Sequence, residues 1–522
     1  MYTIMTILDL LKKELAGVAY KLNFLSASEA DGGDDEKFKF DVSFIDESNS
    51  RFGDVSVNIS LILARKTGKT PKEIGEEILK SIESNIASGK ELSKILKKAD
   101  LAANGFINLF LKEGFLISEA ERISNLKFVE TKFTNKKVLV EHSSPNLFKP
   151  FNIGLFMNNS IGESLVRMMR STKANLKTIS FPSDISIGIA KAIFILKTKK
   201  DLSFEDSNII KILGESYVEG VKFYDDNEEK RGEILEVAKN LFDNNRETED
   251  YKIFEKSKEV NINYFKEVVG GIGSTFDNLI YESEAGVRGE AIVKENMNLE
   301  SEKEVFETGE GGAIVYDTKR KKNNESDETI KSVFINSEGH PTYEAKDLGL
   351  LQLKYDYFPF DYNFFVTDNE QVPHFDIVLD AARKINEEWK GVSEKSFHVP
   401  HGRMTVKGEK MSTRLGNALL LEDILSITNN KAKDKLNIEK IKALNENEKN
   451  KLIKNISLSA LKIAILKSKP GLNIDFDFDT SLNFEGATGP YLLYTYARAN
   501  SILEKAEVEQ AKKVEDSFNR KS

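Results

Sequence analysis

Cysteine is absent from this sequence, which excludes disulfides and every cysteine-containing zinc centre. Histidine is scarce, with only His142, His340, His374, His398 and His401, so no resident metal is expected and any metal would be magnesium carried in with a substrate. No stretch approaches the roughly 18 uninterrupted apolar residues of a membrane span. Met1 to Leu15 carry Asp9, Lys12, Lys13 and Glu14 inside their apolar pattern, which a secretory signal would not tolerate, so a cytoplasmic protein with no membrane partner is expected. An excess of basic charge is also missing. The formal net charge of −9 argues against a generally basic nucleic-acid binder, although a local Lys/Arg surface can engage phosphates on an acidic protein. There is no internal repeat and no low-complexity tract.

What is present is an ordinary globular composition, 40% hydrophobic and 30% charged, over 522 residues. That length exceeds what one core usually organises and suggests about three or four domains. Near the N-terminus Phe38, Phe40, Val42 and Phe44 alternate with polar residues at strand period. Thr70-Pro71 then supplies an N-cap and a first-turn proline for a helix bearing Ile74, Ile78, Leu79 and Ile82 on one face. With the apolar run Gly105 to Leu111, residues 1–118 read as one α+β domain. A different pattern follows. Val138 to Glu141 is a short buried-strand run entering the loop Ser143 to Pro150, and Leu155, Ile161, Leu165, Met168 and Met169 then fall at helical spacing. Strand, loop and helix in that order open a nucleotide-binding α/β domain, and Tyr362 to Thr367 with Phe375 to Ile385 repeat the pattern, so the expected core, over 119–420, is a Rossmann-like parallel sheet. Within it, residues of about 185–335 read as a helical insertion ending in the charged stretch Lys319 to Glu328, most simply a solvated loop. The periodic segments Ile453 to Lys467 and Tyr491 to Glu507 predict a helical C-terminal region over 421–522.

Two distant loops carry the chemistry. Lys407-Gly-Glu-Lys-Met-Ser-Thr-Arg-Leu-Gly416 gathers cations, hydroxyls and glycines in a composition suited to a clamp on phosphates, although such a loop is by itself more often a solvated turn. Within it, Lys410-Met-Ser-Thr-Arg414 resembles the KMSKS-type loop of class I aminoacyl-tRNA synthetases, in the form common among arginine enzymes. Val140-Glu-His-Ser-Ser-Pro-Asn-Leu-Phe-Lys-Pro-Phe151 is similar to the lead-in to the first signature of arginyl-tRNA synthetases. Pro341-Thr-Tyr-Glu-Ala-Lys-Asp347 and the stretch Asp368 to His374 resemble that family's PTY-x-x-x-D and Q-x-x-H segments. Phe52-Gly-Asp54 and Gly105 to Asn108 resemble its added N-terminal domain, and Gly489-Pro-Tyr491 and Tyr496-Ala-Arg498 its helical C-terminal part.

The resemblance implies an arginine–tRNA ligase that activates arginine with ATP and transfers it to arginine tRNA; the expected assembly is a monomer. Its N-terminal domain would bind tRNA, and 421–522 would form part of a helical anticodon-binding region. Lys410 and Arg414 would act on the phosphates with Asn152. Gly154, Leu155, Met411, Ser412 and Thr413 would complete the ATP site. Glu141, Asn146, Tyr343, Asp347 and Gln371 would line the arginine pocket, Asp347 pairing with the guanidinium and Glu141 orienting the ammonium group. Without the resemblance, Asp347 reads more simply as a carboxylate near a helix start. The sequence departs from the family at the first signature, where H-I-G-H is replaced by Asn152-Ile-Gly-Leu155. Asn152 retains a side-chain donor and Leu155 has none. Loss of one preorganised donor costs roughly 2.7–4 kcal/mol in oxyanion sites. The competing reading is therefore a catalytically weakened relative that binds tRNA, arginine or nucleotide for regulation.

Overall fold

The computed structural model describes residues 7–31, 38–45, 47–125, 131–297, 305–320, 328–406, 420–436, 442, 444–469 and 471–519. The chain divides into two compact units, Met1–Lys132 and Phe133–Ser522, so the division falls somewhat later than the expected end of the first domain at 118.

The first unit is an antiparallel four-stranded sheet in the order Val42–Phe44, Val55–Val57, Ile107–Leu111, Leu96–Leu101, packed with helices Ile7–Lys21, Ile59–Thr67 and Pro71–Ala87. The alternation from Phe38 predicted a longer first strand, but only Val42–Phe44 pairs, because the partner strand is itself just Val55–Val57. The predicted cap is present: Thr70 Oγ1 accepts from the Glu73 backbone N–H at 3.3 Å, and Glu73 Oε2 accepts from that of Thr70 at 2.8 Å. The Thr70 backbone N–H and hydroxyl, both donating to Glu73 Oε2, hold that carboxyl below its ordinary pKa. Leu11, Leu15, Val55, Val57, Ile74, Ile78, Ile82, Ile107 and Leu109 form the core.

The second unit is organised by a five-stranded parallel sheet. Its strands are Lys137–Glu141 (β1), Asn175–Ser180 (β2), Asn278–Leu279 (β3), Tyr362–Asp368 (β4) and Ser396–His401 (β5), in the order β5-β4-β1-β2-β3. Val138, Leu139 and Val140 are fully buried because β1 is central and covered on both faces. Val138 and Val140 pack with Val166 and Met169 of helix Ile153–Ser171 (α1). Leu139, on the opposite face, joins Leu348 and Leu351 of Tyr343–Tyr357 (α2) and Ala381 and Ala382 of Val372–Ile385 (α3).

The region expected as a helical insertion contains helices Ile187–Lys197, Ile209–Asp226, Arg231–Phe242, Glu249–Gly271 and Glu282–Glu295, but also β3 and a three-stranded antiparallel sheet. In that sheet Lys319 and Arg320 pair with Thr329 and Glu328, so both ends of the charged stretch expected as a solvated loop are strand; residues 321–327 lie outside the described residues. Buried Tyr316 and Phe334 anchor the strands, and their charged ends masked a two-residue period. C-terminally, helices Leu421–Lys435, Glu446–Leu466 and Gly489–Asn519 follow, and Met404–Val406 pairs in parallel with Ile474–Phe476. No helix among the described residues is long and apolar enough to cross a membrane.

Candidate active site

The chain runs from β1 through α1 to β2 on one side, whereas β4 lies on the other, so the connections leave β1 and β4 in opposite directions and open a crevice at their carboxyl ends. Glu141 ends β1, Asp368 ends β4 and His401 ends β5.

The loop leaving β1 is strained and tightly held. Ser143 and Phe148 have φ of 59° and 67°, a left-handed conformation uncommon for residues with side chains and costing on the order of 1–3 kcal/mol. Asn158 Oδ1 accepts from the Ser143 N–H at 2.6 Å, and Asn261 Oδ1 accepts from the Phe148 N–H at 3.1 Å, so two buried carboxamides fix the strained residues. The amide of Asn158 also donates to the Val366 carbonyl at 2.6 Å, tying the loop to β4. His142 is buried beneath the loop, and burial pushes its pKa down to about 3, so it is a neutral packing group. Its ring fills the space that a side chain at residue 162 would need: a Cβ on Gly162 would lie 2.3 Å from His142 Cγ.

The residues expected to line the arginine pocket are contributed by β1, the loop after it, α2 and the approach to α3. Helix α2 is held close against Glu282–Glu295, since a Cβ on Gly289 would lie 1.8 Å from the Ala345 carbonyl oxygen and one on Gly349 would lie 2.1 Å from that of Ala285. This backbone contact fixes the helix carrying Tyr343, Asp347 and Lys354. Asp347 Oδ2 lies 2.6 Å from His374 Nε2 at the start of α3. Burial lowers the His374 pKa, but the hydrogen bond and charge of Asp347, with Glu344, outweigh it and hold the imidazole above its ordinary value. Glu141 is buried and ion-paired to the Lys354 ammonium, while Ser144 Oγ donates to its other oxygen at 3.3 Å. It is thus a member of a closed pair with Lys354. Tyr343 is 67% exposed with the Lys346 ammonium 5.4 Å from its ring centre. Gln371, exposed, ends the short turn after β4; Asn146 is exposed and bridges to Ser183.

At the phosphate end, Asn152 caps α1, its Oδ1 accepting from the Leu155 N–H at 2.9 Å. Gly154 is exposed in the first turn. Leu155 is half-buried against the cluster containing Phe151, Ile153, Phe156 and Phe265. Lys410, Met411, Ser412, Thr413 and Arg414 lie outside the described residues. The chain on both sides of them is placed, however. Met404–Val406 precedes them, and after them Leu420 forms a bridge with Asn152 while the Leu421 N–H donates to the Phe151 carbonyl at 3.0 Å. The chain that resumes at Leu420, six residues after Arg414, is therefore joined backbone to backbone to the first signature segment at the start of α1.

Residues 121–478 match the family described as tRNA synthetases class I (R), catalytic domain, and residues 6–111 match the arginyl tRNA synthetase N terminal domain. The chain belongs to the arginyl-tRNA synthetase family. A relative from Borrelia garinii subsp. bavariensis, named arginine–tRNA ligase, is 30% identical over 450 residues, covering 82% of this chain and 73% of its own. One of the same name from Clostridium perfringens is 29% identical, covering 85% and 74%. The solved arginyl-tRNA synthetases of Thermus thermophilus (TM-score 0.66, 20% identity, covering 96% of this chain and 82% of that one) and Plasmodium falciparum (0.65, 21%, 97% and 82%) share the fold.

Against this family background, sequence reasoning missed Lys354, His374, Asn158 and Asn261. His374 closes the Q-x-x-H stretch, which was the available signal. Lys354 lies seven residues after Asp347 on α2, hence on its face, but nothing local names Glu141 as its partner. The two asparagines look like ordinary helix residues until the loop they hold is in place. Among the described residues no group of three or more acidic or histidine side chains is arranged to hold a metal ion.

Proposed function

We propose that this member of the arginyl-tRNA synthetase family works as an arginine–tRNA ligase, with its reaction centre in the crevice between β1 and β4. Arginine's carboxylate attacks the α-phosphorus of ATP, pyrophosphate leaves, and a terminal ribose hydroxyl of arginine tRNA then attacks the acyl carbon and releases AMP. The chemistry rests on positioning and charge stabilisation more than on a protein base. The observation supporting this reading is the pinning of Leu420 and Leu421 to Asn152 and Phe151, which brings the chain just beyond the Lys410–Arg414 segment to the helix start that carries Asn152. Lys410 and Arg414, with Met411, Ser412 and Thr413, act on the phosphates of ATP, which would enter with its own magnesium ion. Asn152 contributes its amide donors, Gly154 gives the adenine room, and Asp347, Tyr343, Asn146 and Gln371 receive arginine. The ammonium of Lys354 holds Glu141, which acts as part of the pocket floor. The N-terminal unit binds tRNA, and the protein works as a cytoplasmic monomer.

One observation favours a slower enzyme and keeps the binding-only alternative worth testing: Leu155, which has no side-chain donor, packs among apolar side chains. Arginine-dependent ATP–pyrophosphate exchange, measured with and without arginine tRNA, is the test. Exchange that requires both arginine and tRNA supports the ligase. A folded protein that binds arginine or tRNA but shows no exchange above background would instead be the binding relative. In an active protein, Lys410→Ala is expected to lower turnover by two or more orders of magnitude with little change in arginine affinity, since its charge acts on the transition state. A weaker arginine affinity at unchanged turnover would contradict that role.

A further inference from the structure

The pocket proposed for arginine contains an imidazole that can carry a positive charge of its own. Asp347, on the second turn of α2, and Glu344, one turn earlier, flank the imidazole of His374 from one side, with Asp347 Oδ2 2.6 Å from Nε2 and Glu344 Oε1 4.0 Å from Nδ1. The Asp347 and His374 side chains are each 16% exposed and that of Glu344 is 22% exposed. Ser332 Oγ donates to Glu344 Oε1 at 2.9 Å. The ring of Phe375 closes another side, 5.0 Å from the imidazole centre. Two half-buried carboxylates one helical turn apart repel and lose hydration, so an empty pocket of this kind needs a positive partner.

We infer that His374 is the internal counter-ion of this pocket, holding Asp347 when the site is empty and yielding it to the guanidinium of arginine. This rests on the assignment of Asp347 to the arginine side chain. A guanidinium pairs best with a carboxylate through both oxygens, and Oδ2 of Asp347 is already committed to Nε2. Arginine therefore exchanges with the imidazole for that oxygen. While His374 carries its proton, arginine meets a pocket whose charge is partly neutralised; once the proton leaves, both carboxylates attract the ligand.

The surrounding groups give the sign of the pH dependence. Burial and the position at the N-terminal end of α3 both oppose a positive imidazole, and Asp347 and Glu344 outweigh them, so His374 keeps its proton to a higher pH than a free histidine. His398 on β5, the neighbouring imidazole, is pushed down to about 4 by burial, interacts with Asp376 of α3 and lies 2.7 Å from Thr367 Oγ1, so it stays neutral through the range that matters. The arginine guanidinium keeps its charge throughout. Arginine affinity should consequently rise with pH until His374 has lost its proton, and level off above that point.

Calorimetric titration of the full chain with L-arginine from pH 5.5 to 8.5 tests this. The dissociation constant is expected to fall by up to about tenfold per pH unit below the His374 pKa and then to flatten. In His374→Asn the profile should be flat, and arginine should bind more tightly than to the wild type at the acid end. Glu344→Gln, which leaves the imidazole in place but removes one of its anions, should move the midpoint to lower pH. A histidine that only packs would change the melting temperature without moving either binding profile. A wild-type affinity independent of pH, or a wild-type slope retained in His374→Asn and an unmoved midpoint in Glu344→Gln, overturns the inference. Asp347→Asn separates this from failure of the underlying assignment. If it binds arginine as the wild type does, the pocket itself is misplaced; if it loses arginine while the pH profiles refuse to move, only the role of His374 falls.

Discussion

A lysine buried against a glutamate is useful only while both are present. Lys354 and Glu141 have side chains 5% and 7% exposed, and the Lys354 ammonium also lies 5.1 Å from the ring centre of Phe365. Removing one charge leaves the other desolvated and unpaired, at a cost of roughly 3–5 kcal/mol. Lys354→Met is therefore expected to lower the unfolding free energy by that much, read from denaturant titration, with Lys354→Arg recovering most of it; a Met variant as stable as wild type would mean that Glu141 takes up a proton or reaches water. The altered first signature gives a second expectation. Replacing Asn152 and Leu155 together by histidine deletes an N-cap worth roughly 0.5–2 kcal/mol and puts an imidazole among Phe151, Ile153 and Phe156, so the melting temperature should fall. Exchange turnover should rise at least about tenfold if the imidazoles supply the donors missing from the site. A folded double variant no faster than the wild type would argue that the loop has left its catalytic position.

At the scale of elements, the pocket proposed for arginine depends on how closely α2 lies against Glu282–Glu295. Gly289 faces the Ala345 carbonyl, so a methyl group there cannot be accommodated by rotating a side chain; the helices must separate. Gly289→Ala should cost about 1–3 kcal/mol by overpacking and weaken arginine binding as well, because it displaces the helix that carries Asp347. The same substitution at exposed Gly232, where a Cβ meets nothing within 4 Å, serves as the control. Equal melting temperatures for the two variants would refute the close-packing argument. Elements of this kind were partly legible beforehand. The β1–loop–α1 reading and the Thr70–Pro71 helix start emerged from period and capping residues, which act within a few positions of one another. The antiparallel strands Ile314–Arg320 and Glu328–Ile335 did not, because their burial comes from packing on distant helices and their ends are charged.

For the whole molecule, the histidines set the response to acid. Burial lowers the pKa of His142 to about 3 and of His398 to about 4, and lowers that of His401 as well. Each binds its proton more readily in the unfolded chain, so the stability they contribute is present above the ordinary histidine value near 6.5 and is lost as pH falls below it. His374, raised, works in the opposite direction and is outnumbered. The melting temperature should therefore fall as pH drops from about 6.5 towards 4, and His142→Phe, which keeps a ring against Phe276, should make that fall smaller. A melt independent of pH across this range in the wild type would show that these rings stay hydrated.

The sequence by itself determined the family and the parallel α/β core, and it nominated the candidate ligand-binding side chains, because motif residues and hydrophobic periods are written in neighbouring positions. The tertiary structure alone decided their partners. Glu141 closes on Lys354, Asp347 holds His374, and Asn152 caps its own helix while bridging to Leu420. Those pairings join positions far apart in the chain or depend on how a loop is strained, and local pattern carries no information about which of several nearby carboxylates, amides or cations the folded chain will bring within hydrogen-bonding distance.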